Sequence, residues 1–347
     1  MFRLITTTLI LTLFSCSQEA GLSFYKLSGP TMGSTYHITV QCKDIQHIQT
    51  IVDSILSSFD ASMSLYAKQS TIISFNQADE VFCFDPNIDT YFEPIFKKSK
   101  EIYSLTKGTF DPSIAPLVNF YGFGYKEKKH IEKTDTAQVS ALKKLLVFDK
   151  LTIIDSTDHL HCIRKPSPEF MLDFNAISAG FVVDVIYQKF QLLGLKNFMI
   201  NMSGEIRTKG QNERNEDWII GINKPSEKAD EYSVELPLKI SNRAIATSGN
   251  YRNSYESKGQ KFAHIIDPRT GLSKPSDILS ATVIADDCAT ADALATAFMV
   301  MGLKDALHLA NELKNVDATF IFDQEGDGIF EFMTSTNMSK YYLNNEQ

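Results

Sequence analysis

Basic residues are the minority in this 347-residue chain: 34 Lys and Arg stand against 42 Asp and Glu, a formal net charge of −8. That balance excludes a nucleic-acid backbone as partner, because phosphates have to be neutralised by basic patches. The one dense basic run, Lys126 to His130, lies in a polar stretch and reads as a solvated loop. Linker-like stretches rich in Pro, Ser or one sign of charge are missing, and no segment recurs at a solenoid or propeller period. One large mixed domain therefore accounts for the length better than two. Cys42, Cys83, Cys162 and Cys288 form no CxxC pair and no His-bearing zinc spacing, which excludes a zinc cluster. Disulfides and free buried thiols both stay open, and the pairing is not readable.

Long apolar runs are also missing. The stretch from Leu4 to Phe14 follows the positive start Met1-Phe2-Arg3 but falls short of the about 20 residues a spanning helix needs. It ends in Leu13-Phe14-Ser15-Cys16, which resembles a bacterial lipobox with a bulky Phe14. Residues 1–16 are thus expected to be a lipoprotein signal, with Cys16 as the lipidated N-terminus whose acyl chains hold a membrane. A plain signal peptide and a buried N-terminal helix are the other readings.

What is present is periodic. Thr35 to Cys42 alternates with period two and predicts a half-buried strand. Ile45, Ile48, Ile51, Val52, Ile55, Leu56 and Phe59 recur at helical spacing. Further helices are expected over 92–105, 178–193, 289–301 and 304–313, and a buried strand from Leu195 to Met202. The chain looks strand-rich from 218 to 247, and the C-terminus reads as a hairpin around Gly326-Asp327-Gly328. Asp323 to Gly328 begins like a calcium loop, but position twelve is Thr334 and not Glu. His159 and His161 alternate without a partner motif and read as surface residues; Trp218 and the Phe residues read as core. Strands and helices mix without a βαβ repeat, so the expected class is α+β.

Chemistry concentrates in 243–302. On the helix expected at 289–301, Asp292 and Thr296 are four apart and share a face. Together they offer hard oxygen donors of the kind Mg²⁺ takes. Taken alone, the pair reads as a surface Asp bonded to a Thr. His264-Ile-Ile-Asp267-Pro268-Arg269-Thr270-Gly271 adds a His, an Asp and an Arg on a loop shaped by Pro and Gly. Thr247-Ser248-Gly249 adds hydroxyls and an open backbone position.

Those strings, HIIDPRTG followed by ADALATAFMVMG, resemble the ApbE family of FAD:protein FMN transferases. Five more segments match in order: Thr31-Met32-Gly33-Ser34-Thr35; Met63-Ser64-Leu65-Tyr66 with Ser70 and Asn76; Gly108-Thr109-Phe110-Asp111-Pro112 continuing to Gly122-Phe123-Gly124; Asp173 to Asp184; and Asn201-Met-Ser203-Gly204-Glu205-Ile206. The resemblance implies a single T-fold-like α+β domain over 22–340 with a cleft for FAD as substrate and Mg²⁺ at its diphosphate. It implies Asp292, Thr296 and the Ala176 carbonyl as metal ligands, and His264 as the group that helps deprotonate an incoming threonine hydroxyl. Asp267 would bind or orient at the metal end. Met32, Tyr66 and Thr109 would contact flavin, Asp184, Gly204 and Glu205 the adenosine side, and Ser248 would lie near the phosphates. Ala179, Ser203, Glu205 and Ser34 depart from the family's usual residues, and the adenosine side is where these changes weigh most.

The implied reaction moves FMN onto a Thr or Ser of an exported acceptor carrying Asp-x-x-[Ser/Thr]-Gly-Ala-[Thr/Ser], in Nqr- and Rnf-type respiratory complexes. The expected address is the periplasmic face of a bacterial membrane, the inner one favoured. A Mg²⁺-dependent FAD diphosphatase and a non-catalytic FAD-binding lipoprotein are the alternatives.

Overall fold

Period-two alternation builds the first hairpin. In the computed structural model, which describes residues 21–125, 131–155, 159–223, 234–249, 254–257, 260–273, 276–325 and 329–343, β1 (Ser23–Thr31) and β2 (Ser34–Cys42) pair from Ser23↔Cys42 to Thr31↔Ser34. Met32 and Gly33 make the turn at φ 47° and 74°, the doubly left-handed geometry whose twist suits a two-residue hairpin. β2 buries Tyr36, Ile38, Val40 and Cys42, the alternation read from the sequence. The expected lipidation residue Cys16, the basic run Lys126 to His130 and the turn at Gly326-Asp327-Gly328 lie outside the described residues.

The chain continues through α1 (Ile45–Met63), α2 (Thr71–Gln77), β3 (Val81–Phe84), α3 (Phe92–Leu105), α4 (Ala115–Phe120) and α5 (Thr136–Lys143). Next come β4 (Ile153–Asp155), β5 (His161–Arg164), α6 (Asn175–Leu192), β6 (Phe198–Met202), β7 (Glu205–Lys209), β8 (Trp218–Asn223), β9 (Val234–Ile240) and β10 (Ala244–Gly249). Two short hairpins, β11 (Ser254–Ser257) with β12 (Gln260–Ala263) and β13 (Ile266–Asp267) with β14 (Leu272–Ser273), precede β15 (Ile278–Ala285). α7 (Cys288–Met301), α8 (Leu303–Glu312), β16 (Asp317–Phe322) and β17 (Glu331–Thr334) close the chain.

Eight of these strands form one antiparallel sheet in the order β1-β2-β6-β7-β10-β15-β16-β17. α1, α6 and α7 pack on one face around Phe59, Val182, Ile186, Leu294 and Phe298. The other face is closed by the β8–β9 ladder with Met338 and Tyr341. Helices gathered on one face of an antiparallel sheet make this α+β, as expected. β15 and β16 are covered on both faces and are buried along nearly their whole length.

Some expectations shift. α6 starts at Asn175, not 178. β6 starts at Phe198, not Leu195, because Gly194 (φ 76°) and Leu195 bond back to Gln191 and Phe190 and finish α6. β3, β5 and β4 form a small separate sheet in which Cys83 and Cys162 are register partners joined by a disulfide. Cys42 and Cys288 are buried thiols. His161 is not a bare surface residue: its Nδ1 meets Glu93 Oε2 at 2.5 Å and its ring edges against Phe84.

Candidate active site

The site begins where α6 and α7 touch. A Cβ on Gly180 would stand 2.3 Å from the Cys288 carbonyl oxygen and 2.8 Å from Asp292 Cβ. Only glycine allows that approach, and it lets the Gly180 N–H donate to Asp292 Oδ2 at 2.9 Å. Helical register would assign that same amide to the Ala176 carbonyl, so the carboxylate competes with the carbonyl for it. One turn after Asp292, the Thr296 hydroxyl lies 3.0 Å from Ser248 Oγ on β10. The shared face read from the spacing is therefore real, and it points inward: Asp292 is 7% exposed.

Asp184 fixes the start of α7. Its two oxygens accept from the Cys288 and Ala289 amides, each at 2.9 Å, and Arg207 Nη1 donates to it at 2.5 Å. The guanidinium is itself stacked 3.7 Å above the Tyr187 ring. An anion against unpaired helix amides is stabilised by both bonds and dipole. Asp184 thus has its carboxylate engaged by the protein and borders neither of the cavities described below.

Asp292, Thr296, Ser248, Ala176, His264 and Thr109 come together around one cavity of about 320 Å³. Asp111, Asp173 and Asn175 complete its polar side, and Phe110, Ile114, Val118, Phe123, Ile266 and Val300 its apolar side. A second cavity is bordered by Met32, Gly33, Phe59, Met63 and Tyr66, with Met32 and Tyr66 well exposed. Asn175 borders both, so the two form one cleft. Thr109 falls in the first cavity, away from Met32 and Tyr66, and its hydroxyl donates to the Thr106 carbonyl at 3.0 Å.

The first cavity is short of positive charge. Burial pushes Asp292 up to about 7, with the Gly180 amide pulling it down and the Asp184 charge pushing it up. Glu205, buried next to it, is raised well above the usual carboxylate range by burial and then by the Asp292 charge. Burial likewise raises Asp173 and Asp111 to about 6, against bonds from Asn175 and Ser113. Among the described residues no Lys or Arg borders this cavity. Uncompensated buried carboxylates cost free energy unless a cation meets them. Among the described residues no three His, Cys, Asp or Glu side chains converge as a metal cluster. The donors present are mixed: one carboxylate, one hydroxyl and one backbone carbonyl, all hard oxygens that fit Mg²⁺.

The HIIDPRTG segment behaves differently from α7. It is the β13–β14 hairpin, with Thr270 and Gly271 amides returning to the Asp267 carbonyl and Gly271 at φ 75°. The Asp267 carboxylate accepts from the Arg269 amide at 2.8 Å and from Arg269 Nε and Nη2 at 3.0 Å. Arg269 also reaches the Val300 carbonyl near the end of α7. His264 and Pro268 border the cavity, whereas Asp267 is absorbed by its own turn.

Gly204, at φ 114° in the β6–β7 turn, is exposed and bonded to Asn201. Asp111, Asp173 and Asn175 received no role from the sequence. Their signal was Asp followed two residues on by Ser or Asn, a turn-capping pattern that buries a carboxylate.

A model of the ApbE family matches residues 32–320. A FAD:protein FMN transferase of Vibrio cholerae is 35% identical over 339 residues, spanning 96% of this chain and 97% of that protein. One of Haemophilus influenzae is 33% identical over 333 residues, spanning 94% and 93%. The solved structure of flavin transferase ApbE from Vibrio cholerae superposes with a TM-score of 0.79 at 32% identity, covering 92% of this chain and 99% of that one.

Proposed function

We propose a cleft mechanism for a chain that belongs to the ApbE family and transfers the FMN part of FAD to a protein. The observation that carries it is the convergence of Asp292, Thr296, Ala176 and His264 on a cavity that no Lys or Arg borders among the described residues. FAD lies along the cleft with its ring system against Met32 and Tyr66 and its diphosphate toward Asn175 and Ser248. Asp184 is engaged elsewhere, so the apolar wall of Phe110, Val118 and Phe123 is the better seat for the adenine.

Asp292, Thr296 and the Ala176 carbonyl would hold Mg²⁺, which when bound neutralises diphosphate charge and polarises a phosphoryl oxygen. The Ser248 hydroxyl, tied to Thr296, keeps that donor oriented. His264 takes the proton of the acceptor Thr or Ser hydroxyl as its oxygen bonds to the FMN phosphorus. The P–O bond to AMP breaks, and AMP leaves with the bridging oxygen. The product is an FMN phosphoester on the acceptor.

The catalytic domain is assigned to 22–340 and the membrane hold to lipid on Cys16, on the periplasmic face of a bacterial membrane, the inner one favoured. The Cys83–Cys162 disulfide supports an oxidising compartment. No helix among the described residues is long and apolar enough to cross a membrane. Exported Nqr- or Rnf-type subunits with the Asp-x-x-[Ser/Thr]-Gly-Ala-[Thr/Ser] sequence are the acceptors.

The test incubates the chain lacking residues 1–16 with FAD, Mg²⁺ and an acceptor domain, reading intact mass and AMP together. An FMN-sized gain on the acceptor, lost with chelator, is expected. Free FMN and AMP with unmodified acceptor would make the protein a FAD diphosphatase. FAD bound but unchanged would leave only a carrier.

A further inference from the structure

The segment Phe170–Phe174 carries the cavity wall into α6, yet it belongs to no strand or helix. Its position is set from a distance. Asn76, on the last turn of α2, donates from Nδ2 to the Leu172 carbonyl at 2.9 Å and accepts from the Leu172 amide at Oδ1 at 2.8 Å. The pairing joins residues 96 apart and copies one rung of a sheet ladder. Asn76 is 6% exposed, and Leu172 is fully buried.

The main chain of Asn76 is fixed as well. Lys165, itself buried, donates from Nζ to the carbonyls of Asn76 at 3.2 Å, Ala78 at 2.5 Å and Pro168 at 3.1 Å. At the other end of α2, the Ser70 hydroxyl donates to the Ser64 carbonyl at 2.6 Å, beside the Tyr66 wall. α2 therefore touches the backbone of both cavities. Directly after Leu172, the Asp173 amide is held by the Pro112 carbonyl at 2.8 Å, and Asn175 and Ala176 follow.

We propose that Asn76 is a positioning residue for FMN transfer: its amide splices α2 to Leu172 and so sets where Asp173, Asn175 and the Ala176 carbonyl stand in the first cavity. It touches neither substrate nor acceptor and acts through the main chain. The proposal rests on the transfer reaction assigned above to that cavity.

The test compares Asn76→Asp with a matched control in the full chain, purified in detergent. Asp is isosteric but turns the donor facing the Leu172 carbonyl into an acceptor. The control is Asn197→Asp, which spoils a similar splice to Gln41 and Gln211 far from the cleft. Each is assayed well below its melting temperature for kcat and KM. FAD affinity without metal is read from flavin fluorescence. For Asn76→Asp, kcat is expected to fall by about tenfold or more, since small misplacements of a reacting centre are that costly. FAD affinity should stay within about threefold, because the two apolar walls that seat its rings, Met32 with Tyr66 and Phe110 with Val118 and Phe123, lie on other segments. Asn197→Asp should leave kcat unchanged at a comparable loss of melting temperature. Equal kcat in wild type and Asn76→Asp overturns the proposal, as does an equal loss in the Asn197 control. Should Asn76→Asp not fold, Asn76→Ser is read in the same way. A wild-type chain without transfer activity counts instead against the assignment of the reaction to this cavity.

Discussion

Helix α7 and the β13–β14 hairpin carry the two most distinctive strings in the sequence, and they spend their polar side chains in opposite ways. On α7, Asp292 is aimed into the cleft and among the described residues meets one protein donor, the Gly180 amide. In the hairpin, Asp267 meets three donors from Arg269 and does not border the cavity. A helix fixes the direction of each side chain by its period, so a polar residue on a buried stripe stays unspent. A tight turn consumes its carboxylates locally, because its own amides need acceptors. A charged residue in a helix is thus a better candidate for chemistry than one in a turn of equal sequence distinctiveness.

The sharpest test of the α7 half is Asp292→Asn. Transfer should fall by roughly a thousandfold as the charge that holds the metal is lost. Melting without metal should not fall, because the variant removes a buried, raised carboxylate while keeping an acceptor for Gly180. A clear drop in metal-free melting temperature would mean that Asp292 is there for the fold. Gly180→Ala comes next. Its methyl has to displace the Cys288 carbonyl or Asp292, which should cost about 1–3 kcal/mol in denaturant melts and about a hundredfold in transfer rate. Loss of stability with full activity would show that the α6–α7 approach does not place Asp292.

The hairpin half is tested by a pair. His264→Ala should lower kcat for transfer by about a hundredfold with FAD binding retained. Asp267→Asn should cost about 1 kcal/mol or less, as expected for a partly exposed ion pair, and leave kcat within about threefold. If Asp267→Asn is as damaging as His264→Ala, the contrast between helix and turn fails. Steady-state kinetics on both variants decides it.

That contrast also explains what was legible in the sequence. α1, α3, α7 and α8 could be read within a few residues because each presents an apolar stripe at helical spacing. β2 was clear from its alternation, whereas the edge strand β1, half-exposed along its length, gave no pattern. The short α2 has too few residues to display a helical period, although Asn76 within it belongs to a recognisable motif. Asp292, Thr296, Ser248 and His264 do share one cavity. The motif around Asp184 implies an adenosine contact, whereas the helix amides that its carboxylate satisfies lie about a hundred residues away in the chain. Long-range partners of that kind are decided by packing, and a single sequence does not display them.

Asp111 is the intermediate case, bound by a turn like Asp267 and buried like Asp292, and it carries the smallest effect. Ser113 donates to it through both amide and hydroxyl, yet burial dominates and raises it to about 6. Its unfolded value is near 3.8. Between these values the folded state keeps a proton that the unfolded chain has released, so stability falls as pH rises through this window. Below pH about 4 both states are largely protonated and there is little penalty; above about 6 the penalty is constant, on the order of 3 kcal/mol. Asp111→Asn keeps an acceptor for Ser113 and removes the charge. The variant should match wild type at pH 4 and exceed it at pH 7, with the difference opening between about 4 and 6 in urea melts without metal. A difference that is flat across this range would mean that the turn satisfies Asp111 as fully as Arg269 satisfies Asp267, and that burial adds nothing to what a turn already does.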